Sequence, residues 1–202
     1  MEARAVTANS GRTAGVGQSR SATLAIMGVT AAIIAAVAFM VNQPAAGAQG
    51  VTSVTLTGAA GEAPTVGKQA PDFVATTIDG KAVRLSDFKG KPVWLTFGAS
   101  WCQPCRAENP DIQATYQKFA DRGLVVLAIF ISEDAPAVRD YADRVGLTYQ
   151  KVADPDTRIA SGYRIMGIPS HYFIDSSGVL RQLKIGSLDP AAMEAALAGI
   201  LE

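Results

Sequence analysis

The sequence predicts an α/β fold, a three-layer sandwich with a central mixed sheet, preceded by an N-terminal transmembrane helix. Three observations carry this. Residues 66–202 alternate strand-like and helix-like segments, which is the pattern of a largely parallel sheet. Leu124-Val-Val-Leu-Ala-Ile-Phe-Ile131 is a continuous apolar run, as in a strand buried on both faces. Residues 22–41 are twenty positions without a charge, enough at 1.5 Å per residue to cross about 30 Å of hydrocarbon.

The 202 residues are 49% hydrophobic, enough for one substantial core, and Lys plus Arg (18) balance Asp plus Glu (18). With no basic run, nothing points to nucleic acid. Residues 1–21 carry Arg4, Arg12 and Arg20 against Glu2, lack apolar periodicity, and are expected to be a disordered cytoplasmic N-terminus. The positive-inside rule then places the rest of the chain on the extracytoplasmic side. Residues 22–41 read as an uncleaved, single-pass signal-anchor in the cell membrane. Ala46-Gly-Ala48 is a small-x-small cleavage pattern, so a secreted form cut after Ala48 is the alternative. Residues 42–65 are rich in Ala, Gly and Thr and read as a flexible linker, with a short strand at 51–56.

The globular part, 66–202, opens with two short alternating runs, 73–77 and 82–85, around Asp79-Gly80, a hairpin signal. Strand Val93–Phe97 delivers Trp101-Cys-Gln-Pro-Cys105, after which a helix begins. Cys102 and Cys105 are the only two cysteines. At a helix N-terminus the free backbone N–H groups and the dipole favour an anionic sulfur. Gln103-Pro104 suits the first helical turn, where proline lacks no bond it would otherwise make. The pair therefore reads as a redox pair. As a structural staple its four-residue loop would give only about 2 kcal/mol, against about 4.7 for a 100-residue loop. As a metal site it lacks partners, since the single histidine is His171 and four ligands are usual for zinc.

Pro110 is expected to kink the helix that follows, and Gly123 to end it. Further along come a helix at 135–145 ended by Gly146, a strand at 148–152, a helical turn at 159–163 and a strand at 171–174. A turn at 175–178 leads to a strand at 179–185, antiparallel to the one before. A last helix, 190–201, is capped by Asp189. Helices are expected on both faces of about six strands.

Leu85-Ser-Asp-Phe-Lys-Gly-Lys-Pro92, Trp101-Cys-x-Pro-Cys-Arg-x-Glu-x-Pro110, Tyr163-x-x-x-Gly-Ile-Pro169 and Phe173-Ile-Asp-x-x-Gly178 occur in this order across 66–201. On these motifs the domain resembles the membrane-tethered TlpA/ResA-like thiol–disulfide oxidoreductases of the thioredoxin fold. The resemblance implies Cys102 as attacking thiol, Cys105 as buried resolving thiol, and Pro169 as a cis-proline beside them. It also implies a substrate surface of Trp101, Pro104, Ile168 and Pro169, with Ile168 offering backbone to a client strand. Glu108, on the helix face of Cys105, would tune cysteine ionisation. The chain departs from thioredoxin in having Thr96 in place of a buried aspartate, and from its nearer family in having Gly98 in place of a tryptophan. His171 is read as an ordinary strand residue outside the site.

The resemblance further implies a monomer that reduces disulfides or cysteine pairs of client proteins, among them apocytochromes c and copper-site proteins. Its electrons would come from a membrane thiol donor, and it would need no cofactor beyond the Cys102–Cys105 disulfide and no metal. The alternatives are a disulfide-donating oxidase and a copper metallochaperone using Cys102, Cys105 and His171. A peroxidase is disfavoured, because the threonine and proline of peroxiredoxins would fall at Ala99 and Leu95.

Overall fold

The computed structural model describes residues 29, 31–39, 55–57 and 63–201. The chain falls into two units, Met1–Gln49 and Gly50–Glu202. In the first, residues 29 and 31–39 are helical and every one is exposed, Ile34 and Phe39 at 68% each. Among the described residues no helix is long and apolar enough to cross a membrane. The expected N-terminus at 1–21, half of the span at 22–41 and the cleavage pattern at 46–48 lie outside the described residues.

The second unit holds two sheets. A three-stranded antiparallel sheet joins β1 (Thr55–Thr57), β2 (Asp72–Thr76) and β3 (Ala82–Arg84). The β2–β3 hairpin turns on Gly80, at φ +80° in the region glycine enters without penalty. β1 lies within the stretch assigned to the linker, whose other described residues are 63–65.

The central sheet has five strands in the order β6-β5-β4-β7-β8: β4 (Val93–Gly98), β5 (Val125–Ile131), β6 (Gln150–Asp154), β7 (Ser170–Ile174) and β8 (Leu180–Ile185). β4 runs parallel to β5 and antiparallel to β7, so the sheet is mixed. Among the described residues of this unit there are four α-helices, α1 (Gln103–Phe119), α2 (Ala135–Val145), α3 (Arg158–Gly162) and α4 (Pro190–Ala198), and two 3-10 turns, Leu85–Phe88 and Ala120–Arg122.

Period-two alternation sends β4 side chains to two separate cores. Trp94 faces Val126, Ala128, Phe130 and Phe173 beneath α1, α2 and α4. Val93, Leu95 and Phe97 face the other way, against Leu127, Ile129, Phe73 and Tyr163. The second face is therefore covered mostly by the β2–β3 hairpin, and the helix expected on this face is the short α3, beside the 3-10 turn that starts at Leu85. Pro110 sits inside α1, which continues through it to Phe119. The strand expected at 148–152 starts later, at Gln150, because Gln113 binds both the Thr148 hydroxyl (2.8 Å) and the Thr148 N–H (2.8 Å). The last helix stops at Ala198, three residues short of the expected end.

Asp175 pins the β7–β8 turn by accepting from the Ser177 hydroxyl (2.6 Å) and the Val179 N–H (3.0 Å) and by pairing with Arg181. Burial would raise its carboxyl, but these donors and the Arg181 charge outweigh that and hold it below the usual carboxylate range. A depressed folded value gives stability that is present above the unfolded value and lost as pH falls through the folded one. Asp175→Asn is expected to cost about 1 kcal/mol near neutral pH. In urea titrations the gap should close below about pH 4; a gap that persists there would show that charge is not its cause.

Candidate active site

The site is assembled where β4 ends. Cys102 is the N-cap of α1, and its Sγ accepts the Cys105 N–H at 3.2 Å. This bond, with the helix dipole behind it, stabilises negative charge on that sulfur once the pair is reduced. The two cysteines are joined as a disulfide, with Cα atoms 5.3 Å apart. Cys102 is 6% exposed and Cys105 4%, so in this oxidised state the two differ little in exposure. What distinguishes them is surroundings. Cys102 caps the helix, whereas Cys105 lines a cavity of about 10 Å³ with Glu108, Thr96, Gly98 and Pro169. That volume is about one water. A Cβ at Gly98 would lie 3.5 Å from Cys105 Sγ, ordinary contact, so glycine there leaves the wall thin rather than relieving a clash.

The Ile168–Pro169 bond is cis, as the resemblance implied, and Pro169 is buried while Ile168 is half-buried and packs on the Cys102–Cys105 cluster. Trp101 is 59% exposed and Pro104 also faces solvent. The residues expected to bind substrate thus lie about the disulfide as a partly apolar rim. Exposed apolar side chains around a buried reactive group are the usual mark of a protein-binding surface.

Glu108 is 3% exposed, buried rather than solvated on the helix surface. Its Oε1 lies 3.1 Å from His171 Nε2 and accepts the Leu188 N–H at 3.3 Å. His171, which sequence reasoning left out, is fully buried beneath α1. Its Nδ1 accepts from the Trp94 indole N–H at 3.3 Å and lies 3.1 Å from the Thr96 hydroxyl. With Nδ1 bound to β4 and Nε2 facing Glu108 at 3.1 Å, His171 is not offered as a third ligand to the cysteines. Among the described residues no group of three His, Cys, Asp or Glu is placed to hold a metal.

A second carboxylate was also missed. Glu133, at the end of β5, is 8% exposed and accepts from both the Ser100 N–H (2.7 Å) and the Ser100 hydroxyl. It ties down the turn that presents Trp101 and Cys102. Nothing local marks it, since Ser100 and Glu133 are 33 residues apart in sequence. Glu133→Ala is expected to destabilise the fold by about 1–3 kcal/mol through the two orphaned donors, read as a lower melting temperature with the disulfide still formed.

The model of the AhpC/TSA family matches residues 66–183. The thiol-disulfide oxidoreductase ResA of Geobacillus kaustophilus is 35% identical over 135 residues, 67% of this chain and 78% of that protein. The chain belongs to the AhpC/TSA family. Within that family it is a ResA-like thiol–disulfide oxidoreductase of the thioredoxin fold. The thioredoxin-like protein YneN of Bacillus subtilis is 37% identical over 130 residues, 63% of this chain and 76% of that protein. Among solved structures, a thiol:disulfide interchange protein of the thioredoxin family from Chlorobium tepidum superposes with TM-score 0.61 at 31% identity, covering 70% of this chain and all (100%) of that one. The B. subtilis StoA structure, at 24% identity and TM-score 0.55, shares the fold over 62% of this chain and 96% of that one.

Proposed function

We propose that this oxidoreductase works as a reductant of client disulfides on the extracytoplasmic side of the membrane. The observation that carries the exchange chemistry is the disulfide at the N-terminus of α1, with Cys102 held by a backbone N–H and Cys105 set against a buried carboxylate. Reduced Cys102 attacks the client disulfide, a mixed disulfide forms, and Cys105 attacks Cys102 Sγ to release the client as a dithiol. Two electrons pass from the cysteine pair to the client. Glu108 takes the Cys105 proton before that second attack, a task Thr96 cannot perform because a hydroxyl is too weak a base. Trp101, Pro104, Ile168 and Pro169 receive the client segment, Ile168 through its backbone.

Clients that must keep free cysteines in an oxidising compartment, such as apocytochromes c before haem attachment or copper-site proteins before metal loading, need such a reductant. The electrons come from a membrane thiol carrier. The exposed apolar helical residues 31–39 support a membrane anchor that keeps the domain near that donor. The oxidase reading shares every step run in reverse, and the reduction potential separates the two.

The test is to express the full chain carrying Cys105→Ser, which halts at the mixed disulfide, and to identify what is covalently attached. Exported proteins with a cysteine pair that must stay reduced are expected. Attachment mainly to newly exported proteins with structural disulfides would favour the oxidase.

A further inference from the structure

Glu108 and His171 form a buried pair whose geometry fixes which atom holds each proton. An indole N–H only donates, so the Trp94 contact leaves His171 Nδ1 as the acceptor nitrogen. A hydrogen on Nδ1 would point at the Trp94 hydrogen. The single ring hydrogen therefore resides on Nε2, which lies 3.1 Å from Glu108 Oε1. The approach has the distance of an ion pair while its angle falls outside that of a hydrogen bond, and Glu108 Oε2 accepts from none of the described residues. A buried carboxylate with one weak backbone donor needs a further source of positive potential, or its burial is costly.

The fold places that source by strand register. Thr96 and His171 are directly paired across β4 and β7, and Trp94 pairs with Phe173 two positions away. All four side chains lie on the face beneath α1, where the Trp94 ring stacks on Phe173 at 5.3 Å. His171 is thus held between a two-donor rest on β4 and the carboxylate of α1. It is fully buried there.

We propose that His171 is a positioning residue, whose Nε2–H holds the Glu108 carboxylate at the Cys105 cavity and thereby sets the rate at which Cys105 resolves the mixed disulfide. This rests on the reading that Glu108 takes the Cys105 proton. In that step the Cys105 S–H bond breaks and its proton passes to a Glu108 oxygen. The Cys105 sulfur bonds to Cys102 Sγ, and the client sulfur leaves with the electron pair and is protonated from Glu108 or water. His171 keeps its own hydrogen throughout. It acts only on the orientation and charge of the carboxylate.

The experiment uses the reduced full chain, rapidly mixed with a fluorogenic disulfide-bonded peptide and acid-quenched, so that mixed-disulfide formation and its resolution are timed separately. His171→Leu is expected to leave formation unchanged and to slow resolution about tenfold, with mixed disulfide accumulating. Glu108→Gln slows resolution at least as much, and the double variant is no slower than Glu108→Gln alone. His171→Gln, which keeps a donor at that depth, recovers most of the rate. Where His171→Leu does not fold, the pair Trp94→Phe, Thr96→Val removes both partners of Nδ1 at similar volume and carries the same expectation. Resolution at the parent rate in the folded variants, or formation and resolution falling together, overturns the role of His171. Unchanged resolution in Glu108→Gln instead overturns the reading of Glu108.

Discussion

Cys102→Ser is expected to abolish disulfide reduction, by about three orders of magnitude or more, while leaving the fold intact. The sulfur caps α1, and a serine hydroxyl can still accept the Cys105 N–H, so the helix keeps its start. What disappears is the nucleophile. A hydroxyl is not ionised under conditions where a capped thiol gives up its proton. Cys105→Ser should behave differently, since attack still occurs and only resolution fails. That variant should accumulate mixed disulfide, whereas Cys102→Ser should form none. The check is a non-reducing gel of both variants with a disulfide-bonded client alongside turnover. Residual turnover in Cys102→Ser would mean that Cys105 can attack from its buried position.

Phe97→Ala should have the largest effect on stability, about 3–5 kcal/mol. Phe97 is fully buried at the end of β4, with ring centroids 5.2 Å from Tyr163 and 5.6 Å from Tyr172. Tyr163 also packs edge-on against Phe73 of the hairpin, and its hydroxyl binds the Pro71 carbonyl at 2.6 Å. Burial pushes the Tyr163 phenol well above its ordinary value and that of Tyr172 up to about 12, so both stay neutral donors across the working range of pH. Removing the Phe97 ring opens a void at the centre of this aromatic cluster, one residue before the turn that leads to Cys102. The expected result in urea unfolding is a lower midpoint with unchanged slope. A change under about 1 kcal/mol would mean that the tyrosines collapse into the space.

Much of this architecture was legible because it is encoded locally. Asp79-Gly80 between two alternating runs gave the hairpin, and Asp134 and Gly146 bracket α2 as its N-cap and its left-handed C-cap. The Cys-X-X-Cys after an apolar strand located the site. What escaped depends on pairs distant in sequence. The apolar run of β5 shows that both faces of the sheet are covered but not by what, so the hairpin was recognised without its place as the main cover of one face. The place of His171 follows from its register with Thr96, 75 residues away, and from α1 lying over both. A lone histidine in a strand carries no such information. Thr148 looked like a strand residue until its partner Gln113 was in view.

The reduction potential of the Cys102–Cys105 pair is the most direct test of the proposed role. The full chain would be equilibrated with thiol buffers of defined potential and the free thiols counted. A value near or below about −220 mV, toward the thioredoxin end of the scale, is the predicted result. A value near about −120 mV would contradict it and make the protein a donor of disulfides.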